Sequence, residues 1–335
     1  MIDNGEISGA NLLFRVRHEE SAEAGWRVRA YFDRTDRQTS QLGVKRDSAN
    51  LAYRGWAPWG ARHDLLWGFE YDWTSDRVRD SPILLFAPGE RSWSIVNGYL
   101  QNTSELVAGQ LFSMVGTKLT YHDFVGPELQ PSARLWWTPD ERQTVWAAIS
   151  RPVRVPSRLE RDGAIVFSYA DTGLLAGAPA SGVIVPLALG GERELDVERL
   201  LAYEAGYRRL FGERVALDAS LFFNDYSDLV SVPTAIFGSW IQAGSAETYG
   251  VELSGSWRVA DWCQLEGAYS WLQVDVHGPV FQFEEDSAPE HMAQLRSRVS
   301  LRQGLELNGA AYYVDRVRTG DFDAYVRLDV GLSWR

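Results

Sequence analysis

The stretch Leu217-Asp218-Ala219-Ser220-Leu221-Phe222-Phe223-Asn224 decides the fold. Leu217, Ala219, Leu221 and Phe223 alternate with Asp218, Ser220 and Asn224. Successive side chains of a strand point to opposite faces, so this segment has one oily face and one wet face. The pattern recurs outward in both directions. Leu65, Trp67, Phe69, Tyr71 and Trp73 oppose Asp64, Gly68, Glu70, Asp72 and Thr74. Val251, Leu253 and Trp257 oppose Glu252, Ser254, Ser256 and Arg258. Val326, Leu328, Val330, Leu332 and Trp334 oppose Arg327, Asp329, Ser333 and Arg335. No segment repeats apolar residues at helical spacing over three turns.

The spacing predicts about 15 strands. Their spans are 10–18, 26–35, 49–57, 63–74, 92–103, 109–123, 129–138, 142–151, 196–211, 214–230, 239–257, 261–275, 291–302, 305–316 and 323–335. Many run past ten residues, whereas strands of soluble sheets most often have about 5–6. A tilted strand crosses a bilayer in about 9–11 residues. Short links at Pro139-Asp140-Glu141, Phe211-Gly212-Glu213, Val259-Ala260-Asp261 and Gln303-Gly304 alternate with longer ones near 75–91, 152–195, 231–238, 276–290 and 317–322. Turns on one side and loops on the other mark an outer-membrane barrel. Aromatics near strand ends (Trp56 and Trp59, Trp136 and Trp137, Trp257 and Trp262, Tyr312 and Tyr313) fit girdles at the membrane interfaces.

Composition bounds the function. The chain has 335 residues, 45 acids against 33 bases, and a formal net charge of −12. With no basic block it does not suit nucleic acid. Its single cysteine, Cys263, makes neither an intrachain disulfide nor a cysteine zinc site. No apolar run is long enough for a transmembrane helix. Met1-Ile2-Asp3-Asn4-Gly5-Glu6 lacks the features of a signal peptide. Catalytic motifs are absent, so no catalytic residue is assigned and no enzyme is expected. Glu284-Glu285-Asp286 lacks calcium-loop spacing, and His122, His277 and His291 read as surface histidines. No metal site and no cofactor are expected. Alternation by itself also suits a soluble all-β binding module, and a long-stranded barrel also suits a passive, porin-like channel. Long strands, alternating loop lengths and charges on the wet face favour the membrane barrel.

Specific blocks carry a family resemblance. Pro131-Ser132-Ala133-Arg134-Leu135-Trp136-Trp137-Thr138-Pro139, running on through Trp146-Ala147-Ala148-Ile149-Ser150-Arg151-Pro152-Val153-Arg154-Val155-Pro156, resembles a barrel hairpin of TonB-dependent outer-membrane receptors. Tyr203-Glu204-Ala205-Gly206-Tyr207-Arg208 with Phe222-Phe223-Asn224-Asp225-Tyr226 is similar to a second hairpin, and Thr248-Tyr249-Gly250-Val251-Glu252 to a third strand. The blocks keep the family's order over most of the chain.

The resemblance implies an all-β, antiparallel, transmembrane β-barrel of about 22 strands, of which residues 1–335 would be a partial barrel domain. The plug domain and the last strands are expected to be lacking. An odd strand count points the same way, since an open edge in lipid leaves backbone groups unsatisfied. The implied protein sits in the bacterial outer membrane and takes up a scarce large ligand, a ferric siderophore first, with vitamin B12, haem and glycan open. Its partners would be outer-membrane lipid, that ligand, and the TonB system through the missing plug. Arg134, Glu204, Arg208, Asp218, Glu252, Glu266, Arg296 and Arg298 are expected to face the lumen and its plug. Arg154, Arg158, Arg161, Tyr169, Trp240, Phe281 and Phe283, on loops, are the candidate ligand-binding residues, since arginine with aromatics suits an anionic, planar chelate.

Overall fold

The computed structural model describes residues 5–39, 41–175, 180–232, 238–278 and 286–334. The elements begin with β1 (Glu6–Glu19), β2 (Gly25–Gln38), β3 (Gly43–Pro58), β4 (His63–Arg79), β5 (Leu84–Phe86), β6 (Glu90–Val107), β7 (Leu111–His122), β8 (Gly126–Asp140), β9 (Gln143–Ser150) and β10 (Val153–Arg154). There follow α1 (Arg158–Asp162), β11 (Gly163–Asp171), α2 (Thr172–Leu175) and β12 (Ile184–Gly190). The chain continues with β13 (Glu198–Phe211), β14 (Val215–Ser231), β15 (Gly238–Ser239), β16 (Ile241–Ala260), β17 (Cys263–His277), β18 (His291–Arg302), β19 (Leu305–Val314) and β20 (Tyr325–Trp334).

The long strands pair antiparallel in the order β1-β2-β3-β4-β6-β7-β8-β9-β13-β14-β16-β17-β18-β19-β20, with β10 added beside β13. Each of these long strands overlaps one expected from sequence. Among the described residues β1 and β20 are the two ends of the sheet, each paired on one side. Several expected strands extend further toward the loops, because the ladder continues past the apolar band on charged pairs. Arg34 meets Asp47 at 2.6 Å and Lys45 meets Asp36 at 2.8 Å, above the oily part of β2 and β3. Two links at the loop end are also short, 39–42 and 123–125, so alternation in loop length is incomplete.

Register keeps the two faces separate across the sheet. Leu221 lies opposite Ala205 and Val251, and Leu253 opposite Ala219 and Tyr269. These residues form a solvent-exposed apolar face, with Leu221 55 % and Leu253 45 % accessible. Along β14 the band runs over 215–223, close to the about 9 residues needed to cross a bilayer. It ends in a row of rings from four adjacent strands, Tyr203, Phe223, Tyr249 and Trp271, whose centroids are 6.2, 6.5 and 5.8 Å apart. Adjacent aromatics cannot both join such a girdle. Trp137 is on the apolar face, while Trp136 stacks on Phe112 at 5.3 Å on the polar face. Tyr313 and Tyr312 divide in the same way.

At the opposite end the turns are tight. Gly212 (φ +61°) and Gly304 (φ +77°) occupy left-handed backbone that L side chains rarely adopt, as hairpins require. The buried apolar residues Val78, Val166, Leu189, Leu195, Val197, Ala202 and Ala246 all gather at the loop end. The dry core among the described residues is therefore not in the wall but where a small second sheet meets it.

Candidate functional site

That second sheet has the order β15-β12-β11-β5. Its strands come from three different links: β5 from β4–β6, β11 and β12 from β9–β13, and β15 from β14–β16. The segment 152–195 is expected as one long loop; its described residues, 152–175 and 180–195, instead form a folded cap that crosses to the rim of β4 and β6. The local cause is partly legible. Ser157-Arg158-Leu159-Glu160 is a capping box, in which Glu160 N donates to Ser157 Oγ at 3.3 Å and Ser157 N donates to Glu160 Oε2 at 2.5 Å. The single turn of α1 that it starts aims Arg158, Arg161 and Asp162 at the wall.

Asp162, fully buried, is the hub. Arg91 Nη1 of β6 donates to both its carboxylate oxygens at 2.5 and 2.6 Å, and Arg193 Nε donates at 3.2 Å. Arg158 pairs with Asp76 of β4, donates to the Pro88 carbonyl at 2.6 Å, and lies over the Phe86 ring. Asp76 also receives Arg46 at 3.2 Å. Arg161 donates to the Leu195 carbonyl at 2.8 Å, and it shares the Phe124 ring with Arg91. Burial lowers the Arg158 and Arg161 pKa values, with Asp162 opposing the shift in both.

Arg154 lies just outside this core. Its Nε and Nη2 donate to Glu198 at 2.5 Å each, and its Nη2 reaches Glu160 at 2.9 Å. The Glu198 carboxylate raises Arg154 above its ordinary pKa, and Glu160 adds to this. Burial works against ionising Glu160, but hydrogen bonds from Arg154 and Ser157 outweigh it and hold its pKa low. The three loop arginines singled out by sequence thus each have protein partners: Arg158 ties the cap to β4, Arg161 is buried on the Leu195 carbonyl, and Arg154 is exposed and joins Glu160 to Glu198 of β13.

The other candidates are placed differently. Tyr169 is half exposed on β11 and donates to the Pro82 carbonyl at 2.7 Å. Trp240 hangs from the cap through its backbone N–H to the Gly190 carbonyl at 3.0 Å, and its indole Nε1 is buried with no partner among the described residues. Phe281 and Phe283 lie outside the described residues. Sequence reasoning missed Asp76, Arg91, Asp162 and Arg193. No local motif flags them, since each is a lone charge until the chain folds back. The capping box was the one available signal.

On the wall, the register puts Arg134, Glu204, Arg208, Asp218, Glu252, Glu266, Arg296 and Arg298 on one face, the polar one. Arg208 Nε donates to Asp218 at 2.6 Å, Ser220 reaches Glu252 at 3.4 Å, and Glu266 stands opposite Arg296. Arg134 lies 5.0 Å over the Trp146 ring. The cap covers the loop end of this same face, through Asp76 and Arg91.

A family model described as TonB dependent receptor-like, beta-barrel, matches residues 4–335. No curated protein sequence matches the chain. Among solved structures, the siderophore receptor PirA from Pseudomonas aeruginosa superposes with a TM-score of 0.74 at 17% identity, over 99% of this chain and 59% of that one. The alcaligin outer-membrane receptor FauA from Bordetella pertussis gives a TM-score of 0.67 at 15% identity, over 98% of this chain and 56% of that one. The ferric enterobactin receptor PfeA from Pseudomonas aeruginosa, as a Q482A mutant in complex with enterobactin, gives 0.65 at 14% identity, over 99% and 63%. The likeness is one of fold, and the chain spans less than two thirds of each of these receptors.

Proposed function

Because the chain belongs to the TonB-dependent receptor β-barrel family, a family of transport receptors rather than enzymes, we propose that it forms part of the wall of a receptor in the bacterial outer membrane, one that takes up a ferric siderophore. The observation that carries this reading is the cap. One face of the sheet is an apolar band suited to outer-membrane lipid, the other is polar, and the cap lies over the loop end of the polar face. Tyr169 on the cap is an exposed ring for a planar chelate, and Trp240, at the other end of β12, has a buried indole N–H without a partner among the described residues. The eight polar-face residues named above would line the lumen and meet a plug domain, through which the TonB system energises transport in the whole receptor.

Binding is the direct test. The chain, folded in detergent, is titrated with ferric catecholate and ferric hydroxamate chelates while tryptophan fluorescence is followed. Saturable quenching by one class, weakened about tenfold in a Tyr169→Ala, Trp240→Ala double variant, supports the reading. No binding by either class, or binding indifferent to the double variant, sinks it.

A further inference from the structure

The polar face of β1–β3 carries a charge pattern that the cap does not explain. Arg17 of β1 stands directly opposite Arg27 of β2, and Arg27 directly opposite Arg54 of β3. In the next row along the same face, Arg15 stands opposite Arg29. Like charges directly opposite one another destabilise a sheet. Only part of this is neutralised. Arg17 pairs with Glu19, and Arg29 with Glu70 at 2.9 Å, but Arg15, Arg27 and Arg54 have no carboxylate within ion-pair reach among the described residues. The Nε atoms of Arg27 and Arg29 are buried and donate to nothing there. The chain as a whole carries a net charge of −12, so this surplus is local and against the general trend.

We propose that this double row, at the turn end of the polar face, is a binding site for a small multivalent oxyanion. Strands lie about 4.8 Å apart and every second residue is about 6.6 Å further along, so the footprint is about 10 by 7 Å. That is the size of one small polyanion, far below the roughly 800 Å² that each partner buries in a protein–protein interface. Guanidinium groups present paired donors that match oxyanion geometry. Trp56 flanks the row, with Arg17 5.6 Å over its ring, and Tyr99 closes the other side by lying over Gly68, opposite Arg54. The ladder fixes the spacing of the strands, so the side chains can lower the repulsion only by splaying, and a bound oxyanion relieves it directly.

The test is calorimetric titration of the full chain, folded in detergent, with sodium tripolyphosphate. Saturable binding is expected, weakened about tenfold by raising sodium chloride from about 50 to about 500 mM. It should fall about tenfold in an Arg27→Gln, Arg54→Gln variant and less than about twofold in Arg142→Gln, Arg214→Gln, which removes the same charge from exposed turns. If the first variant loses its β-sheet circular dichroism, Arg27→Lys, Arg54→Lys replaces it, with an expected loss of about threefold because the paired donors go while the charge stays. Absence of saturable binding, insensitivity to salt, or equal effects of the row and turn variants overturns the proposal. No siderophore enters the experiment, so its failure leaves the receptor reading standing.

Discussion

Asp162 of the cap and Arg91 of the wall, 71 residues apart in the chain, are joined by two hydrogen bonds of 2.5 and 2.6 Å. Asp162 is completely buried and three arginines converge on it. Breaking a buried ion pair from one side leaves the other charge desolvated and unpaired, which costs about 3–5 kcal/mol. Asp162→Asn should therefore release the cap while leaving the wall intact. Hydrogen exchange checks this: amides of 158–171 and 184–190 lose protection, and those of β14 and β16 keep theirs. Uniform loss across both regions would mean that the cap is not a separate unit.

The two faces of β14 should respond oppositely to the same substitution. Leu221→Arg puts a charge inside the apolar band, one step from its aromatic edge, and should destabilise the membrane-inserted chain by about 1–3 kcal/mol, short of the midplane cost. Ser220→Arg points to the polar face and should shift stability by less than about 0.5 kcal/mol. Urea unfolding in lipid vesicles compares them. Equal sensitivity would contradict a lipid-facing band.

Gly250 is required by close approach rather than by its backbone angle. A Cβ there would sit 2.2 Å from the Trp271 carbonyl oxygen and 2.6 Å from the Phe222 ring. The carbonyl belongs to the neighbouring strand and cannot swing away, so Gly250→Ala should cost about 1–3 kcal/mol through overpacking. A thermal melt in detergent reads the loss. Gly98, with nothing near its Cβ position, is the control and should tolerate alanine.

The cap also has a predictable response to acid. The Asp171 carboxylate accepts hydrogen bonds from the Ser181 N–H (2.7 Å), the Gly182 N–H (2.6 Å), the Ser181 hydroxyl (3.0 Å) and the Gly173 N–H (2.8 Å). These bonds, led by the Ser181 N–H, lower its pKa to about 2. Since the folded value lies below the unfolded one of about 3.9, its contribution is complete above that value and is lost as pH falls toward the folded pKa. Amide exchange at Gly173, Ser181 and Gly182 should be protected at pH 5 and accelerate, beyond the intrinsic pH effect, between about pH 4 and pH 2. In Asp171→Asn that extra acceleration should vanish.

Much of the wall was legible because a strand exposed to lipid on one side must alternate. The alternation of 217–224 located β14, and the same signal located the other long strands. Their outer ends were harder to see. Arg34, Asp36, Lys45 and Asp47 break the oily pattern while still continuing the ladder through cross-strand ion pairs. The cap was read as loop because its strands are short and pair with segments from other links, and none of that pairing has a local signature.

Strand positions and the polar face were thus determined by sequence, since alternation acts residue by residue and needs no distant partner, and the family by the motif blocks that resemble it. Which partner each loop arginine meets was decided only by tertiary structure. Arg154, Arg158 and Arg161 look alike in sequence, three bases in a long link. Folding carries them to Glu198, Asp76 and the Leu195 carbonyl. The difference arises because a charge takes its role from whichever opposite charge or carbonyl the fold buries beside it, and that partner can lie anywhere in the chain.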